Sequence, residues 1–168
     1  MYEIYLQSFV LYFVVIDPFG TTPIFMSLTQ HQNPKEKMRS ALEGVLTATI
    51  ILIFFSLVGN FLLSYLNISL GAFKIAGGII LFIISLEMLF DKRQERKEKN
   101  IENTSNNIAI FPLAIPLLSG PAAITSVIVI VSQFGDNFTY QLIGSASLIS
   151  VMLITLIIFL IVSKSQQF

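Results

Sequence analysis

Asp17-Pro18-Phe19-Gly20-Thr21-Thr22-Pro23 sets an acid, two prolines and a glycine in the middle of an apolar run otherwise fit to span a membrane. A carboxylate at that depth costs about 2.5–3.5 kcal/mol on insertion scales, so a chain that keeps one there pairs it, wets it or uses it. Each proline removes a donor from the helical ladder and crowds the turn before it. Non-helical backbone survives in hydrocarbon only where protein packs on it or where it lines a water-filled cavity. The run from about Ile4 to Leu28 is therefore read as one span made of two half-helices joined by an irregular turn. Asp17 and Thr22 each precede a proline, the arrangement in which a polar side chain caps a helix and proline takes its first position.

The rest of the composition agrees with a membrane setting. Of 168 residues, 54 % are hydrophobic and 12 % charged, with a mean hydropathy of +0.79, too apolar for a soluble domain that must coat itself with charge. Residues 44 to 73, 103 to 135 and 137 to 163 carry no Asp, Glu, Lys or Arg, and about 20 residues suffice for a helix to cross. Barrel strands would alternate apolar and polar residues, and these runs do not. There is no cysteine, which excludes disulfides and thiolate metal sites. No nucleophile with a base partner, phosphate-cradling loop or paired His/Glu motif occurs, and His31 stands in a loop without ligand partners. The chain is accordingly expected to be no enzyme, to need no cofactor or metal, and to bind no nucleic acid.

Five spans follow. After span one comes a polar loop, Thr29 to Met38. Span two covers about Arg39 to Tyr65, with Glu43 in its first turns at the positive end of the helix dipole. Asn67 to Leu70 connects to span three, about Ile68 to Phe90, which opens with the small-residue cluster Gly71 to Gly78 suited to close helix packing. Asp91 to Asn107 reads as a solvated linker, and Glu87 reaches the interface beside it. Span four, about Ile108 to Ser132, is interrupted at Pro112, Pro116 and Ser119-Gly120-Pro121. A turn from Gln133 to Phe138 leads to span five, about Thr139 to Val162. The first span lacks a signal-peptide cleavage site and is expected to remain as an anchor. Nine of the ten Lys and Arg residues fall on one side if the N-terminus is outside, which sets the C-terminus in the cytoplasm. The tenth, Lys74, lies in the membrane region.

Pro18 and Pro23 enclose Gly20 and two threonines; Pro116 and Pro121 enclose Ser119 and Gly120. Each pair opens a three-span block, and because three is odd the second block would be inverted, the architecture in which broken helices meet at the midplane around a substrate. The expected organisation is residues 1–91 as a first repeat, 92–107 as a cytoplasmic linker, and 108–168 as a second repeat with two of its three helices. By that logic a sixth span matching span three is absent, through truncation or loss.

Three segments in this order and spacing resemble the MarC family of bacterial inner-membrane proteins. They are Asp17 to Phe25, the run Phe73-Lys74-Ile75-Ala76-Gly77-Gly78, and the run from Pro112 to Pro121 ending Ser119-Gly120-Pro121. The resemblance implies a multi-pass protein of the cytoplasmic membrane, usually of six spans, akin to small-solute exporters but with no settled substrate.

The resulting expectation is a transporter-type protein whose broken spans one and four enclose a small polar site. Asp17, Gly20, Thr21, Thr22, Ser119 and Gly120 would line it; Pro18, Pro23, Pro116 and Pro121 would break the helices. Half-helix amino ends there would favour an anionic or zwitterionic solute, with Asp17 coupling a proton. Blander readings stand beside these. Asp17 serves only as a cap, the hydroxyls satisfy backbone freed by the prolines, Gly77-Gly78 packs, and the whole is a scaffold or an inactive fragment that recruits a second copy. Lys74 is the candidate charge partner. At about 1.5 Å per residue it lies roughly 9 Å below the outer end of its span and Asp17 roughly 20 Å below the outer end of its own, so pairing requires span one to be displaced or unwound.

Overall fold

A computed structural model describes residues 1–89, 108–133 and 137–165 of the chain. The Asp91 to Asn107 linker and the Gln133 to Phe138 turn fall largely outside these residues, as does the side chain of Glu87. The described chain is all helical: α1 Tyr2–Ile16, α2 Pro18–Leu28, α3 Pro34–Tyr65, α4 Leu70–Leu89, a proline segment Ala109–Leu118, α5 Pro121–Gln133 and α6 Phe138–Ser165. Tyr2–Leu28, Pro34–Tyr65 and Thr139–Lys164 are each long and apolar enough to cross a membrane. The proline segment and α5 together pass the same test although bent by 55°. In α4 the apolar stretch Leu70–Ile83 is shorter.

Helix α3 begins at Pro34, not near Arg39 as the charges of this region suggest. Asn33 Oδ1 accepts from the Glu36 N–H at 2.9 Å and Glu36 Oε2 accepts from the Asn33 N–H at 2.9 Å, a reciprocal cap that satisfies two orphan donors. The expected loop is thus partly the first turns of a 32-residue helix, and Lys37 within it is buried. The first-turn acid is Glu36. Glu43, assigned that place from the sequence, lies two turns further in and pairs with Arg39 at 2.6 Å on the surface.

Small residues set the close contacts. A Cβ on Gly44 would stand 2.5 Å from Leu113 Cδ2, and one on Gly59 2.5 Å from Ile128 Cγ1. Asn60 and Ser132 are hydrogen-bonded just beyond. The order 44, 59, 60 against 113, 128, 132 makes α3 run the same way as the proline segment and α5. Tyr5 donates to Ser150 at 2.8 Å, and Phe25 stacks on Phe159 with centroids 4.4 Å apart, so α1 and α2 run the same way as α6. Helix α6 packs on α1, α2 and α3, while α4 leans on α5, where Gly77 meets Thr125. The core is a single apolar cluster containing Tyr12, Ile16, Phe25, Leu52, Leu113 and Phe159. Val14, Ile50, Phe54, Leu57 and Ile157 point outward, as an apolar medium requires.

Candidate functional site

The first break is built around Asp17. Pro18 has no N–H, so the α1 ladder ends there. Asp17 takes φ 52°, ψ 70°, the left-handed region that Asp tolerates better than most residues. Its N–H closes α1 on the Phe13 carbonyl at 2.9 Å. Its carboxylate opens α2 by accepting the Gly20 N–H at 3.0 Å, with Pro18 in the first helical position. One residue therefore ends one helix and caps the next. Gly20 is required here, because a Cβ would run into the Asp17 carboxylate.

The threonines serve the same turn. Thr21 Oγ1 donates to the Asp17 carbonyl at 2.8 Å and is near the Pro18 carbonyl at 3.2 Å; Thr22 Oγ1 donates to the Pro18 carbonyl at 2.7 Å. Thr22-Pro23, expected to form a second cap and break, does neither. Helix α2 continues through Pro23 to Leu28, and the Thr22 hydroxyl reaches back along its own helix.

The second break is broader. In the proline segment Phe111 and Ile115 are extended, each followed by a cis proline. Two wide turns close five residues apart, Leu113 N–H on the Ile108 carbonyl at 3.3 Å and Ser119 N–H on the Ala114 carbonyl at 2.9 Å. Ser119 Oγ also donates to that carbonyl at 2.8 Å. Gly120 accepts the first α5 bond from the Ile124 N–H at 3.0 Å. A Cβ there would lie 2.5 Å from the Pro116 carbonyl oxygen, so this bend also needs glycine. Pro121 starts α5, and Pro116 sits exposed inside the segment.

The expected site residues thus form two groups. Asp17, Gly20, Thr21 and Thr22 make one turn, and Ser119 with Gly120 makes another. The broken spans touch half by half, α1 against α5 and α2 against the proline segment, and their directions are opposite. Ser119 is buried at the floor of a cleft of about 440 Å³, whose lining includes Ile51, Phe55 and Ile124 but none of the Asp17 group. Lys74 is exposed on α4, and among the described residues no ion pair joins it to Asp17. No cluster of three metal-ligating side chains occurs among the described residues.

Other polar groups escaped the sequence reading. Ser8 is fully buried, with no hydrogen-bond partner for its hydroxyl among the described residues, and the Tyr5–Ser150 and Asn60–Ser132 pairs tie distant spans. Single hydroxyl or amide residues in apolar helices were the available signal, but their partners lie 145 and 72 residues away.

A profile described as MarC family integral membrane protein matches residues 2–167. A UPF0056 membrane protein of Methanocaldococcus jannaschii is 38 % identical over 133 residues, covering 77 % of this chain and 58 % of its own length. A second from the same organism is 39 % identical over 142 residues, covering 81 % and 69 %. One from Buchnera aphidicola is 37 % identical over 128 residues, covering 76 % and 61 %. The chain thus spans only about three fifths to two thirds of the length of these curated relatives. No solved structure matches it. With a family profile covering almost the whole sequence, the chain belongs to the MarC family of integral membrane proteins.

Proposed function

We propose that the protein is a transporter-type component of a cytoplasmic membrane, not an enzyme, in which the two broken spans form a gate for a small polar solute. The observation that carries this reading is the antiparallel, half-by-half packing of the two broken spans. Two interrupted helices crossing at membrane depth are the usual substrate-site framework of inverted-repeat transporters. The directions of the helices are those of five successive crossings, and the distribution of Lys and Arg favours the N-terminus outside and the linker cytoplasmic. They also support an inverted pair of blocks beginning at Tyr2 and Ala109. Asp17, between two half-helices, is the group for proton coupling, and Thr21, Thr22 and Ser119 are the hydroxyls a solute would reach on opening. Neither a nucleic acid nor a cofactor has a place in this scheme, and a homo-oligomer in the bilayer is compatible with it.

The absence of cysteine supplies the test. Single Thr21→Cys, Thr22→Cys and Ser119→Cys variants in oriented membranes should react with a membrane-impermeant maleimide from one side, because an alternating gate must wet them in one state. Failure of all three, while His31→Cys in the connecting loop reacts, would overturn the gate.

A second reading has its own observation. All three of these hydroxyls donate to backbone carbonyls of their own segment, which is what a packed, non-transporting scaffold needs. On that reading Asp17→Asn is neutral or stabilising in unfolding, since an amide oxygen keeps the Gly20 cap while the half-buried charge is gone.

A further inference from the structure

We propose that the second break holds an acyl chain of a bilayer lipid, in an apolar cleft that opens sideways from the hydrocarbon. The cleft lies between the middle of α3 and the bend before α5. Ile50, Phe54 and Ile115 form its mouth and are exposed; Ile51, Phe55 and Ile124 form its walls; Ser119 is the floor. At about 1.5 Å per residue, Ile50 is roughly 9 Å along α3 from the start of its uncharged stretch at Gly44, and Phe55 roughly 15 Å before its end at Tyr65. Both lie at hydrocarbon depth.

The chemistry of the lining selects the occupant. Its one polar side chain, Ser119, already gives its proton to the Ala114 carbonyl, so a water entering here finds too few partners to stay. A cavity of about 150 Å³ lined by Leu, Ile and Phe stays dry and takes up apolar guests. This one is about 440 Å³. The cleft also continues an exposed apolar stripe at the same depth. Ile50 and Phe54 at the mouth are 59 % and 55 % exposed and follow the outward stripe of α3 to Leu57 and Phe61. Extended backbone at Ile115 turns that side chain out to the mouth instead of into a helical face. The medium outside the mouth is hydrocarbon chain, so the occupant is an aliphatic tail whose headgroup remains at the interface. This inference does not rest on the gate proposed above, which would wet Ser119 only in its open state.

The full chain, reconstituted in phosphatidylcholine bilayers with a trace of phospholipid carrying a diazirine midway along one acyl chain, is irradiated and the adducts mapped by mass spectrometry. Adducts on Ser119, Ile124 or Phe55 are expected, together with those on the outward residues Leu57 and Ile157. Adducts on Leu57 and Ile157 alone would overturn the proposal, and this wild-type result needs no variant to fold. Ile51→Trp, which fills the cleft, should then abolish the wall and floor adducts while leaving those at Ile157. Persistence of the Ser119 adduct in a folded Ile51→Trp protein would also refute it.

Discussion

Gly20→Ala sets two effects of known size against each other. Alanine is the better helix former by about 0.8–1.0 kcal/mol in a helix interior, so on propensity alone the change in α2 stabilises. The cradle opposes it. A Cβ at Gly20 would stand 2.8 Å from Asp17 Cγ and 3.0 Å from Oδ1, and closer still to Oδ2, so the carboxylate must swing out. That breaks the bond from the Gly20 N–H, a loss of about 0.5–2 kcal/mol for an N-cap. It also leaves a carboxylate less satisfied inside a span, where a charge carries about 2.5–3.5 kcal/mol of insertion penalty. The opposing terms exceed the gain, and the expected net is about 2 kcal/mol of destabilisation, roughly thirtyfold in the unfolding equilibrium. Equilibrium unfolding in mixed micelles, followed by circular dichroism as a denaturing detergent is titrated in, reads it directly. The mechanism is isolated by repeating the change on Asp17→Gly, because glycine accepts φ 52° without strain and removes the colliding group. There Gly20→Ala should be neutral or stabilising by up to about 1 kcal/mol. An equal loss in both backgrounds, or a gain in the native one, would refute the account of the first break.

Two neighbouring glycines in α4 should behave oppositely. Gly77→Ala meets Thr125 and should destabilise, with Thr125→Ala restoring the loss, whereas Gly78→Ala points into open space and should gain up to about 1 kcal/mol in the same titration. Phe25→Ala removes the stack on Phe159 and opens a hole between α2 and α6, which should cost about 3–5 kcal/mol; Phe25→Leu should lose clearly less, and parity of the two would count against the stack. Asn33→Ala removes half of the reciprocal cap on α3 and should cost about 1 kcal/mol, read as a lowered thermal midpoint in detergent that Asn33→Ser largely recovers.

What could be read from the sequence was chemistry local to a few residues. A proline without a donor ends a ladder wherever it stands, so the interruptions near Asp17 and at Ser119-Gly120-Pro121 were legible, and the apolar runs placed the helices around them. The start of α3 was misplaced because Lys35, Glu36, Lys37 and Arg39 look like a loop, although Asn33-Pro34-Lys35-Glu36 is a capping signature in its own right. Asp17-Pro18 and Thr22-Pro23 look alike on paper. Only the first becomes a break, because a carboxylate reaches the amide three residues on and Gly20 leaves room for it, while Thr22 Oγ1 finds a carbonyl one turn behind. Which spans meet was not legible. That the Ser119 cleft is lined by none of the Asp17 group, and that Lys74 is exposed on α4, follow from helix packing over tens of residues.

The position of α6 bears on how such a bundle is assembled. Helices α1, α2 and α3 emerge from the ribosome long before it, yet α6 supplies their shared packing surface, with Tyr5 waiting for Ser150 and Phe25 for Phe159. Contacts of that sequence separation are slow to form. Until α6 is inserted, the early spans sit in the bilayer with Tyr12 and Phe25 facing lipid in place of protein, and Asp17 within an unfinished bundle. That nascent interval, more than the finished structure, is when the chain is most open to quality-control proteases and to wrong helix partners.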